Sequence, residues 1–367
     1  MGKRKNNKIG KVQSIKPLML RETPEDGLFD SVSELERELL AILSTCRTPD
    51  GAAERYMIAE YIDSIDGMQK DDFGNRWIRI GTDSPHIAFT SHTDSVHFDD
   101  GVQKIAFDGE LITLAPDSKA NCLGADCGVG VWIMRNMILR GVSGLYIFHR
   151  LEESGMLGAE HIVEKTPELL DGVLAMVSFD RKGKQSIITH QMGERTCSAD
   201  FVKWFSGELA PHFGDSLETR FKGDDSGMYT DSYAYRLLVP ECTNLSVGYY
   251  AQHTAKEVQS MSHALALLDA MCSIDYDTCV RHCTRDPLEY ESLYGMDSNA
   301  HPLDSKYAYL EHGTSTRDSW RDSKRQSMGD IIRDYPDEIE DILRDYGFDD
   351  DELLRLVKER NYNLVPY

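Results

Sequence analysis

The sequence predicts an α/β fold: a mixed, largely parallel central sheet with helices on both faces, followed by a C-terminal helical extension. Strand-like segments alternate with helical ones through most of the chain, and this alternation is typical of α/β layer folds. Residues 173–179 are almost continuously apolar, as expected of a strand that is covered on both faces. After about residue 285 the strands end, and charged residues and tyrosines become more frequent.

The helices are predicted from apolar residues that recur at intervals of three and four. The first of them follows Ser31, a residue type that caps helix N-termini. On this basis we predict helices over residues 32–43, 52–65, 128–139, 158–164, 197–209 and 263–272.

The strands are predicted from short apolar runs bounded by turn residues. The stretch Asp72-Phe73-Gly74-Asn75 supplies the turn before the first of them. We predict strands over residues 76–80, 86–91, 105–107, 111–114, 145–149, 173–179 and 245–247. Residues 105–107 and 111–114 are close enough along the chain to form a hairpin.

Two flanking segments are predicted outside the main domain, residues 31–284. Residues 1–30 lack periodicity, and residues 1–21 carry seven Lys/Arg and no acidic residue, which predicts a disordered basic arm. Residues 285–367 form an acidic extension. Its end is predicted to be a helical hairpin, because Pro336 suits a helix start, Gly347 a helix end and Asp349 a second cap.

Composition excludes several function classes. The net charge of −22, from 40 basic and 62 acidic residues, repels phosphates and argues against nucleic-acid binding. No apolar stretch approaches the roughly 18–20 residues of a membrane span, so we expect no membrane partner. No secretory signal is recognisable, and the eight cysteines are scattered, which predicts reduced thiols in a cytoplasmic protein.

Five side chains that can bind metals fall near one edge of the predicted sheet. His92, Glu153, Asp180 and His253 each come shortly after a different predicted strand, and Asp126 lies in a Gly-flanked loop that enters a helix. The carboxyl ends of parallel strands form the crevice in which ligands bind in open α/β sheets. Each residue alone is unremarkable, and a single Asp before a helix is usually a cap. Their joint placement predicts a metal centre.

This set of residues has the composition that a two-metal centre needs. Two cations about 3.5–4 Å apart can clamp a water molecule and a carbonyl oxygen. A bridging carboxylate reaches both cations, and each cation then takes about two more nitrogen or oxygen ligands. One further acidic group must stay free to accept a proton from the water. The adjacent residues Glu152 and Glu153 can divide these tasks.

The chain resembles the co-catalytic zinc exopeptidases, which include bacterial zinc aminopeptidases and related dipeptidases and deacylases. The resemblance covers roughly residues 35–270. Its most specific part is the Glu-Glu-x-Gly-x-x-Gly-Ala string that begins at Glu152. The other matching motifs are Asp71-Asp-Phe-Gly-Asn75, His92-Thr-Asp94, Gly124-Ala-Asp126, Asp180 and His253-Thr254.

The resemblance implies a role for each matching residue. His92 and Asp180 would bind one divalent ion, Glu153 and His253 would bind the other, and Asp126 would bridge them. Glu152 would be the general base, and Asp94 would orient the first histidine. Mixed His and carboxylate ligands favour two Zn²⁺ ions, although cobalt or manganese would also suit them.

The sequence departs from the family at one position, and the length of one of its segments indicates a compact branch of the family. Cys127 stands where the family often has a second Asp after the bridging one, which leaves the identity of the metals open. Asp180 and His253 are 73 residues apart, too few for the inserted domain of some relatives. We therefore predict the compact, aminopeptidase-like branch.

The function predicted from these residues is metal-dependent hydrolysis of a terminal peptide bond, by an aminopeptidase. An N-acyl amino acid amidohydrolase with the same metal site is an alternative, so the expected substrate is a peptide or an N-acyl amino acid. A third interpretation is a non-catalytic binding protein with the same fold. The sequence does not predict an oligomeric state.

Overall fold

The computed structural model describes residues 32–288 apart from residues 214, 215, 217 and 218. The predicted basic arm over residues 1–30 and the predicted helical hairpin after Pro336 lie outside the described residues. Within the described part, no helix is long and apolar enough to cross a membrane.

Sixteen strands are formed by the described residues. In chain order they are β1 (Thr45–Cys46), β2 (Gln69–Lys70), β3 (Arg76–Ile80), β4 (Ile87–His92), β5 (Gly101–Val102), β6 (Ile105–Phe107), β7 (Leu111–Leu114), β8 (Gly144–His149), β9 (Ala175–Arg181), β10 (Ser186–Ile188), β11 (His190–Gln191), β12 (Glu194–Arg195), β13 (Lys222–Asp224), β14 (Glu241–Ser246), β15 (Tyr249–Tyr250) and β16 (Val258–Ser260). The main sheet has eight strands in the order β13-β10-β14-β9-β4-β8-β3-β2.

The centre of the main sheet is parallel. Strands β14, β9, β4 and β8 run in one direction, whereas β3 and β2 add antiparallel strands at one side. At the other side β10 is antiparallel to β14. The four parallel strands therefore end at one edge, which is the edge predicted to carry the site.

Seven α-helices are described: α1 (Glu34–Leu43), α2 (Ala52–Met57), α3 (Ala125–Leu139), α4 (Leu157–Lys165), α5 (Ala199–Phe213), α6 (Asp231–Ala234) and α7 (Met261–Ser273). A capping box starts α1, in which Ser33 and Glu36 satisfy each other's backbone N–H groups. Short 3₁₀ segments cover Pro167–Leu170 and Tyr276–His282.

Both faces of the main sheet are covered by apolar layers. On one face Phe89 and Phe148 pack under α1, α3, α5 and α7. On the other face Leu145 and Met176 pack against α4 and the 3₁₀ segment that follows it. Side chains alternate between the faces of a strand, so consecutive apolar residues in β4, β8 and β9 supply both layers. This arrangement confirms the predicted fold class.

Most predicted elements begin or end one to four residues away from the observed bounds. The helix predicted over 52–65 gives way after α2 to a π-helical turn, Ile58–Ile62, in which Asp63 donates to the carbonyl of Ile58 five residues back. Strand β9 extends two residues past the predicted end, so Asp180 lies inside it. Strand β14 starts four residues before the predicted 245–247.

Candidate metal centre

The five predicted ligands lie together at the carboxyl edge of the parallel strands. His92 is the last residue of β4, Asp180 is the penultimate residue of β9, and Glu153 follows β8. Asp126 sits in the first turn of α3, and His253 lies between β15 and β16. The parallel register pairs His92 with His149 at the end of β8, so the loops after both strands begin at the same edge of the sheet.

Asp126 lies between the two imidazoles. Its Oδ1 is 3.1 Å from Nε2 of His92, and its Oδ2 is 3.2 Å from Nε2 of His253. Each oxygen of this carboxylate thus faces a different histidine, which is the arrangement expected of a bridging ligand.

Two further carboxylates complete the set. Oδ1 of Asp180 is 3.4 Å from Nε2 of His92, and Oε1 of Glu153 is 3.0 Å from Nε2 of His253. Metal–ligand bonds of about 2.0–2.1 Å in a tetrahedral site place neighbouring ligand atoms roughly 3.3 Å apart. The observed separations match this value, so the side chains could hold metal ions at two candidate positions: a first position at His92 and Asp180, and a second at His253 and Glu153.

The electrostatics of the five candidate ligands favour the binding of cations. Burial opposes protonation of His253, but hydrogen bonds to Asp126 and Glu153 outweigh it and raise the pKa of His253 to about 12. Burial, reinforced by the neighbouring charge of Asp126, raises the pKa of Asp180 to about 7. Buried carboxylates at this density need cations to balance them, and divalent ions with His and carboxylate ligands meet that need.

Glu152 lies beside the first position. Its carboxylate is within 4.8 Å of ligand atoms of His92 and Glu153, and the residue is 6% exposed. Burial is the main cause that raises the pKa of Glu152 far above its ordinary value, and the negative charges of Asp180 and Asp231 add to it. Such a carboxyl group holds a proton more readily than an exposed glutamate does.

Asp94 ties His92 to the loop that carries the two glutamates. Nδ1 of His92 is 3.1 Å from the backbone carbonyl of Asp94 and 3.6 Å from its carboxylate. The carboxylate accepts the backbone N–H groups of Glu152 and Glu153, each at 3.2 Å. The histidine is therefore oriented mainly by the backbone of Asp94, while the side chain holds the Glu152–Glu153 turn.

Asp180 is held by three residues that the sequence analysis did not assign to the site. The hydroxyl of Thr230 donates to its Oδ2 at 2.7 Å, and the hydroxyl of Tyr249 donates to its Oδ1 at 3.3 Å. The side-chain amide of Asn244 pairs with both backbone groups of Asp180. All three come from other segments, so no local spacing could have revealed them.

The loop before α3 is held by a buried glutamate that sequence reasoning also missed. Glu257, 1% exposed, accepts the backbone N–H groups of Leu123, Gly124 and Asp126. Gly124 adopts the left-handed conformation with φ 73°, and a Cβ there would lie 2.6 Å from the ring of His97. Glycine is thus required where the chain turns toward Asp126.

Cys127 lies beneath the first position, facing away from solvent. Its Sγ is 3.0 Å from the hydroxyl of Ser91 and 2.9 Å from the carbonyl of Phe179. It also forms a group with His92 and Asp180, in which the potential ligand atoms are within 4.8 Å of one another.

Two other histidines near this edge of the sheet, His149 and His97, are bonded to residues outside the five candidate ligands. His149 is fully buried, and its Nε2 is 2.6 Å from the hydroxyl of Tyr235. Its Nδ1 is 2.6 Å from the hydroxyl of Thr90 and 3.2 Å from the carboxylate of Asp231. Nδ1 of His97 accepts the backbone N–H of Arg47.

The structure is similar to several solved peptidases. It aligns with the aminopeptidase PepT from Bacillus cereus at a TM-score of 0.55 and 15% identity, over 67% of this chain and 98% of that chain. A tripeptidase from Staphylococcus aureus gives a TM-score of 0.51 and 14% identity, over 65% and 96% of the two chains. A TET aminopeptidase from a marine sediment Thaumarchaeota archaeon gives 0.51 and 12%, over 68% and 100%.

These likenesses concern the fold. No family model matches the chain, and no curated protein matches its sequence. The chain has the architecture of solved aminopeptidases, and this agrees with the resemblance to co-catalytic zinc exopeptidases that the motifs predicted.

Proposed function

We propose that this protein is a metal-dependent exopeptidase that removes residues from the amino end of a peptide. The observation that carries the proposal is the Asp126 carboxylate, whose two oxygens lie 3.1 and 3.2 Å from imidazoles 161 positions apart in the chain. Two divalent ions, for which Zn²⁺ suits these ligands, would be held by His92, Asp126, Glu153, Asp180 and His253. The fold shared with solved aminopeptidases supports this assignment.

Divalent ions at such a site polarise a carbonyl oxygen and lower the pKa of water toward about 7. The residues of the chain perform the rest of the proposed reaction. Glu152 takes the proton of the attacking water and passes it to the leaving amine. Asp94 keeps Glu152 in place through the backbone N–H group that its carboxylate accepts. The closely packed core beneath β4 and β9 holds the reacting groups in a fixed geometry.

A cytoplasmic location belongs to the same proposal. All eight cysteines lie in the described part of the chain, and none of them forms a disulfide. Free, mostly buried thiols are typical of proteins kept in a reducing compartment.

The proposal is tested by metal content and by the variant Glu152→Gln. Elemental analysis of the purified chain should give close to two divalent ions per chain. The variant should retain its metals, because Glu152 is not assigned as a ligand, while hydrolysis falls by about 10²–10⁴-fold. Full activity in the variant contradicts the proposed role of Glu152.

A substrate panel separates the proposed activity from its alternatives. Cleavage of aminoacyl anilides with a free amine, and loss of cleavage after N-acylation, is the expected result. The reverse preference identifies an N-acyl amino acid amidohydrolase. A protein that holds two metals and hydrolyses nothing in a broad panel is a binding protein, and the proposed function is then wrong.

A further inference from the structure

Glu257 is bonded to the loop that carries the central carboxylate of the site. Its Oε2 accepts the N–H groups of Leu123 at 2.8 Å and Gly124 at 2.9 Å, and its Oε1 accepts the N–H group of Asp126 at 3.1 Å. These hydrogen bonds cross more than 130 positions of the chain. A buried, charged acceptor makes stronger hydrogen bonds than a neutral one.

Arg47 holds the same loop from another direction. Its guanidinium is 1% exposed and donates to the carbonyl of Gly124 at 2.6 Å and to the carbonyl of Thr93 at 3.3 Å. The N–H groups of the loop are thus bound by a carboxylate, and a carbonyl group of the loop is bound by a cation. This leaves the backbone before Asp126 little freedom to rotate.

Glu257 also belongs to the segment that supplies the second imidazole. His253 is four positions earlier, and its backbone has φ 63°, a conformation that non-glycine residues adopt only where their surroundings enforce it. One short segment therefore carries a ligand of the second position and also holds the backbone of Asp126.

We propose that Glu257 is a positioning residue of the metal centre, which fixes the loop over residues 123–126 and thereby holds the Asp126 carboxylate between His92 and His253. The proposal rests on the proposed metal centre. A loop with a loose backbone would let the carboxylate rotate, and one of its oxygens would then leave its cation. Residues that orient ligands in this way typically change metal affinity by about 10–100-fold when they are replaced.

The chain contains a matched control for this residue. Glu241 is also fully buried, and its carboxylate also accepts three backbone N–H groups, from Ser198, Thr284 and Arg285. In both residues one oxygen accepts two donors and the other oxygen accepts one. Glu241 lies far from the metal centre. It is the first residue of β14, whereas Ser246, at the end of the strand nearer the site, is the last. The two residues are five positions apart, which at about 3.3 Å per residue is roughly 16 Å.

The experiment compares Glu257→Gln and Glu241→Gln in the full chain. Each carboxylate accepts backbone N–H groups on both oxygens, whereas the amide of glutamine has only one accepting oxygen. Each variant therefore leaves at least one backbone N–H group facing the NH₂ group of the glutamine. Zn²⁺ affinity is measured by competition with a chromogenic chelator, and the absorption spectrum of bound Co²⁺ reports the ligand geometry. All variants are measured at the same pH of about 8, well above the ordinary pKa of a glutamate.

We expect Glu257→Gln to bind Zn²⁺ about 10–100-fold more weakly and to alter the Co²⁺ spectrum. Glu241→Gln should keep the wild-type affinity within about twofold, because distant sites act independently. The melting temperatures of the two metal-free variants should fall by similar amounts. Wild-type affinity in Glu257→Gln, or an equal loss of affinity in Glu241→Gln, overturns the proposal.

Two further results keep the test decisive. If Glu257→Gln does not yield folded protein, Glu257→Asp, which retains the charge and both oxygens, is measured in its place. We expect an intermediate affinity from it, and wild-type affinity contradicts the proposal. If the wild-type chain itself binds no Zn²⁺, the proposed function fails, and that failure is distinct from a wild-type affinity in the Glu257 variants.

Discussion

The side chain of Asp94 offers a sharp test of how the site is assembled. The substitution Asp94→Asn keeps the size of the side chain and leaves the backbone carbonyl that faces Nδ1 of His92 unchanged. The carboxylate accepts one N–H group on each oxygen, from Glu152 and from Glu153. The amide of asparagine can accept only one of them, and its NH₂ group then faces the other donor.

The magnitude follows from the loss of one buried, charge-assisted hydrogen bond. Such a bond contributes about 1.5–3 kcal/mol. In a domain of this size each kcal/mol shifts the melting temperature by about 2–4 °C, so the metal-free variant should melt about 3–12 °C lower. Displacement of Glu152 by about 1 Å should lower kcat by roughly 10²-fold. The same carboxylate holds the backbone of Glu153, so binding at the second position should weaken by about 10–100-fold.

Calorimetry of the metal-free protein and steady-state kinetics of the metal-loaded protein measure the changes in melting temperature and in kcat. The control is Asp108→Asn. One oxygen of Asp108 accepts two backbone N–H groups in an exposed turn, and an asparagine oxygen can do the same, so no measurable change is expected. The reasoning is refuted if Asp94→Asn melts and turns over like the wild type, or if the Asp108 variant loses as much.

Three further predictions follow from contacts around the site. Thr230→Val removes the hydroxyl that donates to Asp180 and should weaken Zn²⁺ binding about tenfold, as measured by chelator competition; unchanged affinity would contradict this. Gly130→Ala would place a Cβ 2.5 Å from a backbone carbonyl of β9 and should lower the free energy of unfolding by about 1–3 kcal/mol. Gly207→Ala, where a Cβ meets nothing within 4 Å, should instead be neutral or stabilising in the same denaturant titration. Burial, and then the charge of Arg47, lower the pKa of His97 to about 3. Between pH 6.5 and 3 the unfolded chain therefore binds a proton that the folded chain does not bind. This residue should lower the free energy of unfolding by up to about 1.4 kcal/mol for each unit by which the pH falls in that window. His97→Gln should show a shallower slope in urea titrations across that window, and an unchanged slope would refute the assignment.

The centre of the main sheet, and the grouping of the five candidate ligands at its edge, could be predicted because their signals are local. Each of β4, β8 and β9 contains a short run of consecutive apolar residues, and a run of that kind indicates a strand buried on both faces. Each candidate ligand lies near the end of such a run or at the start of a helix. The edge of the sheet then brings together residues that spacing alone cannot connect.

The supports of the site were not predictable, because they are single long-range contacts. Glu257 and Asn244 bind backbone groups of distant residues, and such contacts leave no periodic pattern. The start of β14 was missed for a related reason. Its residues Glu241, Thr243 and Asn244 are polar yet buried, and a sequence gives no sign that their hydrogen-bond partners exist. The π-helical turn at Ile58–Ile62 could not be predicted either, because the spacing of its apolar residues also fits an α-helix.

The spread of the ligands along the chain has a consequence for synthesis in the cell. The first imidazole belongs to residue 92, the second to residue 253, and the carboxylate that holds the central loop to residue 257. A polypeptide still emerging from the ribosome therefore lacks the second imidazole and the carboxylate that holds the central loop until residues 253–257 have been translated. Under the proposed function, unfinished translation products would be inert toward the surrounding pool of peptides, and activity would begin only once this segment has folded onto the rest of the domain.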